Sequence, residues 1–179
     1  MDGEGDLEIR ERRVALPARG SGDVALMDIG PRDQPVDLVF LHANGFNANT
    51  YRRILAPLGA HHRLLAFDQR GHGLTSLTTA PEGRASWLDL RDDLLALLEA
   101  EEIADVVLSG HSMGATAALL AAAEGAPARR LVLFDPVMLP APSGLEARSS
   151  PMAQAALRRR ADFASREAAV AAYRGRGAF

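Results

Sequence analysis

Gly110-His111-Ser112-Met113-Gly114 follows the short run Asp105-Val106-Val107-Leu108-Ser109 and opens an alanine-rich stretch that runs to Glu124. A serine with glycines two positions away on either side, at a strand-to-helix junction, signals a sharp turn with a strained backbone at the serine. A side chain at either glycine would collide with the neighbouring strand and helix. The turn lifts the serine hydroxyl to the carboxyl end of a sheet, where open α/β sheets bind their ligands. It also sets the Met113 N–H at a helix N-terminus, where partial positive charge favours an anion. Ser112 is therefore the candidate nucleophile and the Met113 N–H a candidate oxyanion donor.

Outward from this junction, short apolar runs alternate with longer helical patterns, which predicts a mostly parallel sheet flanked by helices. Asp37-Leu38-Val39-Phe40-Leu41-His42 is nearly continuous in apolar character, as a strand buried on both faces is. Leu64-Leu65-Ala66-Phe67 is the next strand, and Leu131-Val132-Leu133-Phe134 the last. Residues 8–16 and 24–29 alternate polar and apolar side chains around the turn-like 17–22, which predicts an antiparallel pair at a sheet edge. A helix is expected from Thr50, its N-cap, with Tyr51, Ile54, Leu55 and Leu58 as the apolar stripe. Ser86 with Asp89 three positions on marks the start of another, whose stripe is Trp87, Leu90, Leu94, Leu97 and Leu98. The helix after Ser112 closes at Gly125 and Pro127. The fold class is α/β, with residues 1–136 forming the N-terminal part of the core. Beyond it, residues 137–179 begin with a proline- and serine-bearing connection and continue as two expected helices, 152–164 and 167–173.

Composition narrows the function classes. The 179 residues are 47% hydrophobic and 24% charged, with a net charge of −3. That is one globular domain able to bury a core, and it argues against nucleic acid or an anionic membrane as the main partner. The absence of cysteine excludes disulfides and thiolate metal sites; no metal or other cofactor is expected. All 20 basic residues are arginine, which with the many alanines reads as coding bias rather than chemistry. The first thirteen residues lack the apolar region of a secretory signal, and no apolar run could span a bilayer, so a cytoplasmic location is expected. Arg158-Arg159-Arg160 reads as a solvated helix face, diluted by Glu146, Asp162 and Glu167.

Two more motifs sit at strand ends. His42-Ala43-Asn44-Gly45-Phe46 follows the third strand, and the Asn44 N–H is the expected second oxyanion donor. Small Ala43 and Gly45 let this backbone approach a substrate. Phe46 and His111 are assigned to the substrate pocket, while His42 is expected to bond the loop backbone. Asp68-Gln69-Arg70-Gly71-His72-Gly73 follows the fourth strand, and Asp68, Arg70 and His72 are expected to tie that loop together. His61 and His62 read as a solvated helix exit. In this order and spacing the three motifs resemble the α/β-hydrolase superfamily, in its cap-bearing, esterase-like branch. The resemblance covers residues 8–134. It implies an α/β-hydrolase core truncated after about the sixth strand, with residues 137–179 as the start of a helical cap. Ala43 departs from the commoner His-Gly-x pattern, and alanine is small enough for that place.

A serine nucleophile needs a general base, and the base an orienting carboxylate. In the resembled family the chain order is serine, acid, histidine. All five histidines here precede Ser112. The base is thus expected outside these residues, and the chain reads as the N-terminal portion of a longer enzyme. Asp135 is the candidate acid; a strand-end turn residue is the alternative. The expected function is a serine hydrolase acting on an ester or related acyl group of a small molecule. The alternative is a non-catalytic binding or assembly module, or one piece of a split enzyme. If these residues are the whole molecule, residues 131–137 would form an exposed apolar sheet edge, from which self-association is expected.

Overall fold

The computed structural model describes residues 8–79, 87–138, 154, 158, 160 and 162–174. The chain divides into two compact units, Met1–Met138 and Leu139–Phe179. The first unit is built on a six-stranded sheet of β1 (Ile9–Ala15), β2 (Asp23–Ile29), β3 (Leu38–Leu41), β4 (Leu64–Phe67), β5 (Val106–His111) and β6 (Ala128–Phe134), in the spatial order β1-β2-β4-β3-β5-β6. As the alternation at residues 8–29 predicts, β1 and β2 form an antiparallel pair at one edge. β2 also meets β4 antiparallel, while the β4-β3-β5-β6 pairings are parallel.

Strand side chains alternate between faces, so each apolar run feeds two cores. Val39, Leu41, Leu65 and Phe67 join Leu94, Leu97, Leu98, Ala117, Ala118 and Ala121 on one face. These last six come from α2 (Leu88–Ala100) and α3 (Met113–Ala123). Phe40, Leu64 and Ala66 point the other way, towards Ala48, Tyr51 and Leu55. The small side chains of α3 let it lie directly on the strands; Ala115, Ala117, Ala118 and Ala121 are fully buried.

Three local expectations are corrected. The segment after β3 is not one helix capped by Thr50. Asn47 is the cap, its side chain accepting from the Thr50 N–H at 3.0 Å. A 3₁₀ turn at Ala48–Tyr51, a four-residue α1 (Arg52–Leu55) and a second 3₁₀ stretch at Ala56–Ala60 follow. Pro57, which has no N–H, stands at the start of that second stretch. The tighter winding leaves Tyr51 and Leu55 inward and turns Ile54 and Leu58 out, 64% and 42% exposed. Trp87 likewise leaves the expected stripe: it precedes α2 at the cap position and is exposed, whereas Leu94, Leu97 and Leu98 are buried. The expected start signal at Ser86 lies outside the described residues. Most of the expected helix 152–164 does too, and its last residues, 162–164, are not helical.

At the far edge of the sheet, buried Asp28 on β2 receives Arg10 and Arg63, each at 2.8 Å, and Arg12 at 3.1 Å. Arg12 also grips Glu101 at the end of α2 through two bonds of 2.9 and 2.7 Å. Burial works to raise the Asp28 carboxyl, but the hydrogen bonds from Arg63 and Arg10 outweigh it and hold the group at about 2. In the second unit, α4 (Arg166–Arg174) covers the expected helix 167–173, with Ser165 Oγ accepting from the Ala168 N–H at 3.2 Å. Among the described residues no helix is long and apolar enough to cross a membrane.

Candidate active site

The site is assembled by strand register. Leu41 pairs with Gly110, so the loop leaving β3 emerges beside the turn leaving β5. That turn is as sharp as the motif predicts. Ser112 stands between β5 and α3 with φ 53° and ψ −114°, a region a non-glycine residue enters only when its surroundings force it. The forcing contacts are visible. The Ser112 N–H donates to the Phe134 carbonyl at 2.8 Å, and the Ser112 carbonyl accepts from Thr116 N–H at 3.0 Å. A Cβ on Gly110 would fall 2.5 Å from the Gly114 carbonyl carbon; one on Gly114 would fall 2.5 Å from the Leu41 carbonyl carbon. Both glycines are required because backbone, which cannot yield, occupies the space a side chain would need.

Among the described residues, the Ser112 hydroxyl and the Met113 and Asn44 N–H groups have no hydrogen-bond partner, although their neighbours do. In the loop after β3, Ala43 N–H donates to the Tyr51 hydroxyl at 3.1 Å, Gly45 N–H to His72 Nε2 at 3.1 Å, and Phe46 N–H to the Ala43 carbonyl at 3.1 Å. Asn44 itself is exposed. Met113 N–H lies in the first turn of α3, whose leading amides lack intrahelical acceptors.

A model of the alpha/beta hydrolase family matches residues 38–179. The chain belongs to that family. Of the curated relatives, a 2-(acetamidomethylene)succinate hydrolase of Mesorhizobium japonicum is 30% identical over 112 residues, 63% of this chain and 35% of that protein. A magnesium-chelatase 30 kDa subunit of Rhodobacter capsulatus is 31% identical over 100 residues, 56% of this chain and 34% of that protein. The chain thus spans about a third of the length of the curated relatives it matches. A solved hypothetical protein of Pseudomonas aeruginosa PAO1 shares 32% identity at a TM-score of 0.70, over 94% of this chain and 60% of that one.

Within this alpha/beta hydrolase fold the histidines have separate positions. His42 is fully buried. Its Nδ1–H donates to the Ala43 carbonyl at 2.8 Å, and its Nε2 accepts from the Gln69 N–H at 2.9 Å. Burial pushes its imidazole down to about 4, against the opposing pull of the Ala43 carbonyl, so it is neutral near pH 7. It therefore joins the loops after β3 and β4, as the sequence predicts for a backbone-bonding residue. His72 stands 3.1 Å from the Arg70 carbonyl through Nδ1 and 3.1 Å from the Asn44 side-chain amide through Nε2. His61 and His62 are exposed, and His62 pairs with Asp37. His111 is half-buried, its Nδ1 2.8 Å from the Tyr51 hydroxyl. Phe46, also half-buried, lies edge-on to Tyr51 with ring centres 6.1 Å apart.

The loop after β4 is tied as predicted. Asp68 accepts from Ala48 N–H at 2.8 Å and from Leu74 N–H at 2.7 Å. Arg70 makes two bonds to buried Asp93 on α2, at 2.7 and 2.5 Å. Asp135 follows β6 with φ 48° and is exposed; among the described residues it meets no histidine. Among the same residues no group of three His, Asp or Glu is placed to hold a metal ion. Tyr51 is the site residue that periodicity missed. Its helical spacing marks it as apolar stripe, and nothing local distinguishes its hydroxyl, which reaches 60 residues along the chain to His111.

Proposed function

We propose that this chain carries the nucleophile half of a serine hydrolase acting on an ester or related acyl substrate. Ser112 Oγ attacks the carbonyl carbon and forms a tetrahedral adduct, and the hydroxyl proton passes to a histidine base. The adduct's oxygen takes the negative charge and receives the N–H groups of Met113 and Asn44, the former at the positive end of α3. The observation that carries this reading is the backbone of Ser112, held at φ 53° by two glycines packed against backbone. A strained serine whose hydroxyl has no partner among the described residues is what a nucleophile requires and what a structural turn does not. In the family's order the base follows the serine, and no histidine follows Ser112 here. The base is therefore a histidine outside residues 1–179, with Asp135 as the candidate acid.

A second reading rests on that same histidine count and on the relative named as a chelatase subunit. In it the fold is kept as a binding or assembly module. Fluorophosphonate labelling of the polypeptide, read through the coding sequence beyond residue 179, separates the two. Labelling that is lost in Ser112→Ala supports the nucleophile; labelling unchanged in Ser112→Ala, or none in the wild type, sinks it.

A further inference from the structure

Tyr51 lies under the loop after β3, its ring packed on Phe40 with centres 4.7 Å apart. Its hydroxyl oxygen accepts from Ala43 N–H at 3.1 Å, on the residue just before Asn44. The hydroxyl proton then has one acceptor among the described residues, His111 Nδ1 at 2.8 Å, on the residue just before Ser112. Tyr51 is 9% exposed, so water does not readily replace either bond.

We propose that Tyr51 is a positioning residue, whose hydroxyl ties the loop carrying the Asn44 N–H to the elbow carrying Ser112 and Met113. The tether rests on reading Ser112 as the nucleophile, since it sets the spacing between two donors that belong to different loops. Two consequences follow from the chemistry of the bridge. The His111 ring takes the tautomer with its proton on Nε2, because Nδ1 accepts. The Asn44 N–H is aimed by its neighbour rather than by the flexible loop itself, and an oxyanion donor must be aimed before charge develops.

Tyr51→Phe keeps the ring on Phe40 and removes the hydroxyl. In the same read-through polypeptide, hydrogen exchange at the Ala43 amide should speed up about tenfold, as loss of one hydrogen bond allows. The ¹⁵N spectrum of the His111 ring should lose its Nε2–H pattern. The limiting rate of fluorophosphonate labelling at Ser112 should fall about tenfold, at an unchanged half-saturating probe concentration. His111→Phe, which cuts the tether from its other end, should slow labelling comparably, and the double variant should be slowed no further than the worse single one. Losses that multiply in the double variant overturn the proposal, as does an Ala43 amide and His111 ring indifferent to Tyr51→Phe. A wild-type protein that takes no label overturns the nucleophile reading instead, and the exchange rate and ring spectrum still decide the tether.

Discussion

Two glycine-bearing junctions leave the strands on either side of β3, and they are held in shape by different means. The elbow after β5 is held by space: Gly110 and Gly114 lie against backbone, and the Ser112 hydroxyl and Met113 N–H are left without partners among the described residues. The loop after β4 is held by polar bonds: the Asp68 carboxylate takes two backbone amides, Arg70 clasps Asp93, and the Thr75 hydroxyl donates to the Asp68 carbonyl. The difference teaches how a turn can be rigid while the serine N–H and carbonyl are bonded and the serine hydroxyl and the following amide are not. Steric packing around the two glycines leaves the Ser112 hydroxyl and the Met113 N–H open, and the loop after β4 carries the polar framework.

Substitution can break this comparison. The largest effect is expected from Gly114→Ala, whose Cβ would fall 2.5 Å from Leu41 backbone. It should cost more than about 3 kcal/mol in urea unfolding, because neither strand nor helix can yield; a loss under about 1 kcal/mol would show that space does not hold the elbow. Close behind is pH, acting through His42, which joins the loops after β3 and β4. Its folded-state pKa of about 4 lies below the ordinary 6.5. Between those values the unfolded chain binds the extra proton, so stability is full above pH 6.5 and falls as pH drops towards 4, by about 3 kcal/mol. Asp28, held at about 2, extends the loss below pH 4, since its carboxylate form is favoured by the fold. Unfolding midpoints at pH 7, 5 and 3.5 measure both; a flat profile from pH 7 to 5 would remove His42 as a buried neutral bridge.

Asp68→Ala should cost about 2 kcal/mol, because the Ala48 and Leu74 amides lose their shared acceptor. Asp68→Asn, which keeps one good acceptor, should cost about half as much. Gly125→Ala sharpens the contrast with Gly114: its φ is +99° but nothing lies within 4 Å of an added Cβ, so only backbone strain of about 1 kcal/mol is expected. The smallest effect on stability, within about 0.5 kcal/mol, is expected from Phe134→Lys on edge strand β6, where Phe134 is 55% exposed. There the change to look for is association. Light scattering should show the wild-type 179-residue chain self-associating and the variant not; a monodisperse wild-type monomer would count against an adhesive edge.

Much of the frame is legible in the order of the amino acids. The alternation in residues 9–29 and the unbroken apolar runs at 38–41 and 64–67 mark strands and their faces, because side-chain direction in a strand repeats every two residues. Residues 48–60 are less legible. Their helical spacing is real, but Pro57 and the Asn47 cap divide the segment into short 3₁₀ and α pieces, which expose Ile54 and Leu58. In the candidate site, motif spacing points to Ser112, Met113 and Asn44. It does not point to Tyr51, whose hydroxyl has no signature within its own helix.

The sequence by itself determined the elbow and the chain order of its supporting strands. Those depend on which residues can occupy a crowded or left-handed backbone position, and that is local information. The tertiary structure alone decided which polar groups are tied and which stay free. Tyr51 meets His111 across 60 residues and His42 meets Gln69 across 27, and no spacing rule reaches so far. Hydrogen bonds of that kind exist only once the parallel register sets Leu41 beside Gly110 on one side and Phe67 on the other and brings the three loops to one end of the sheet.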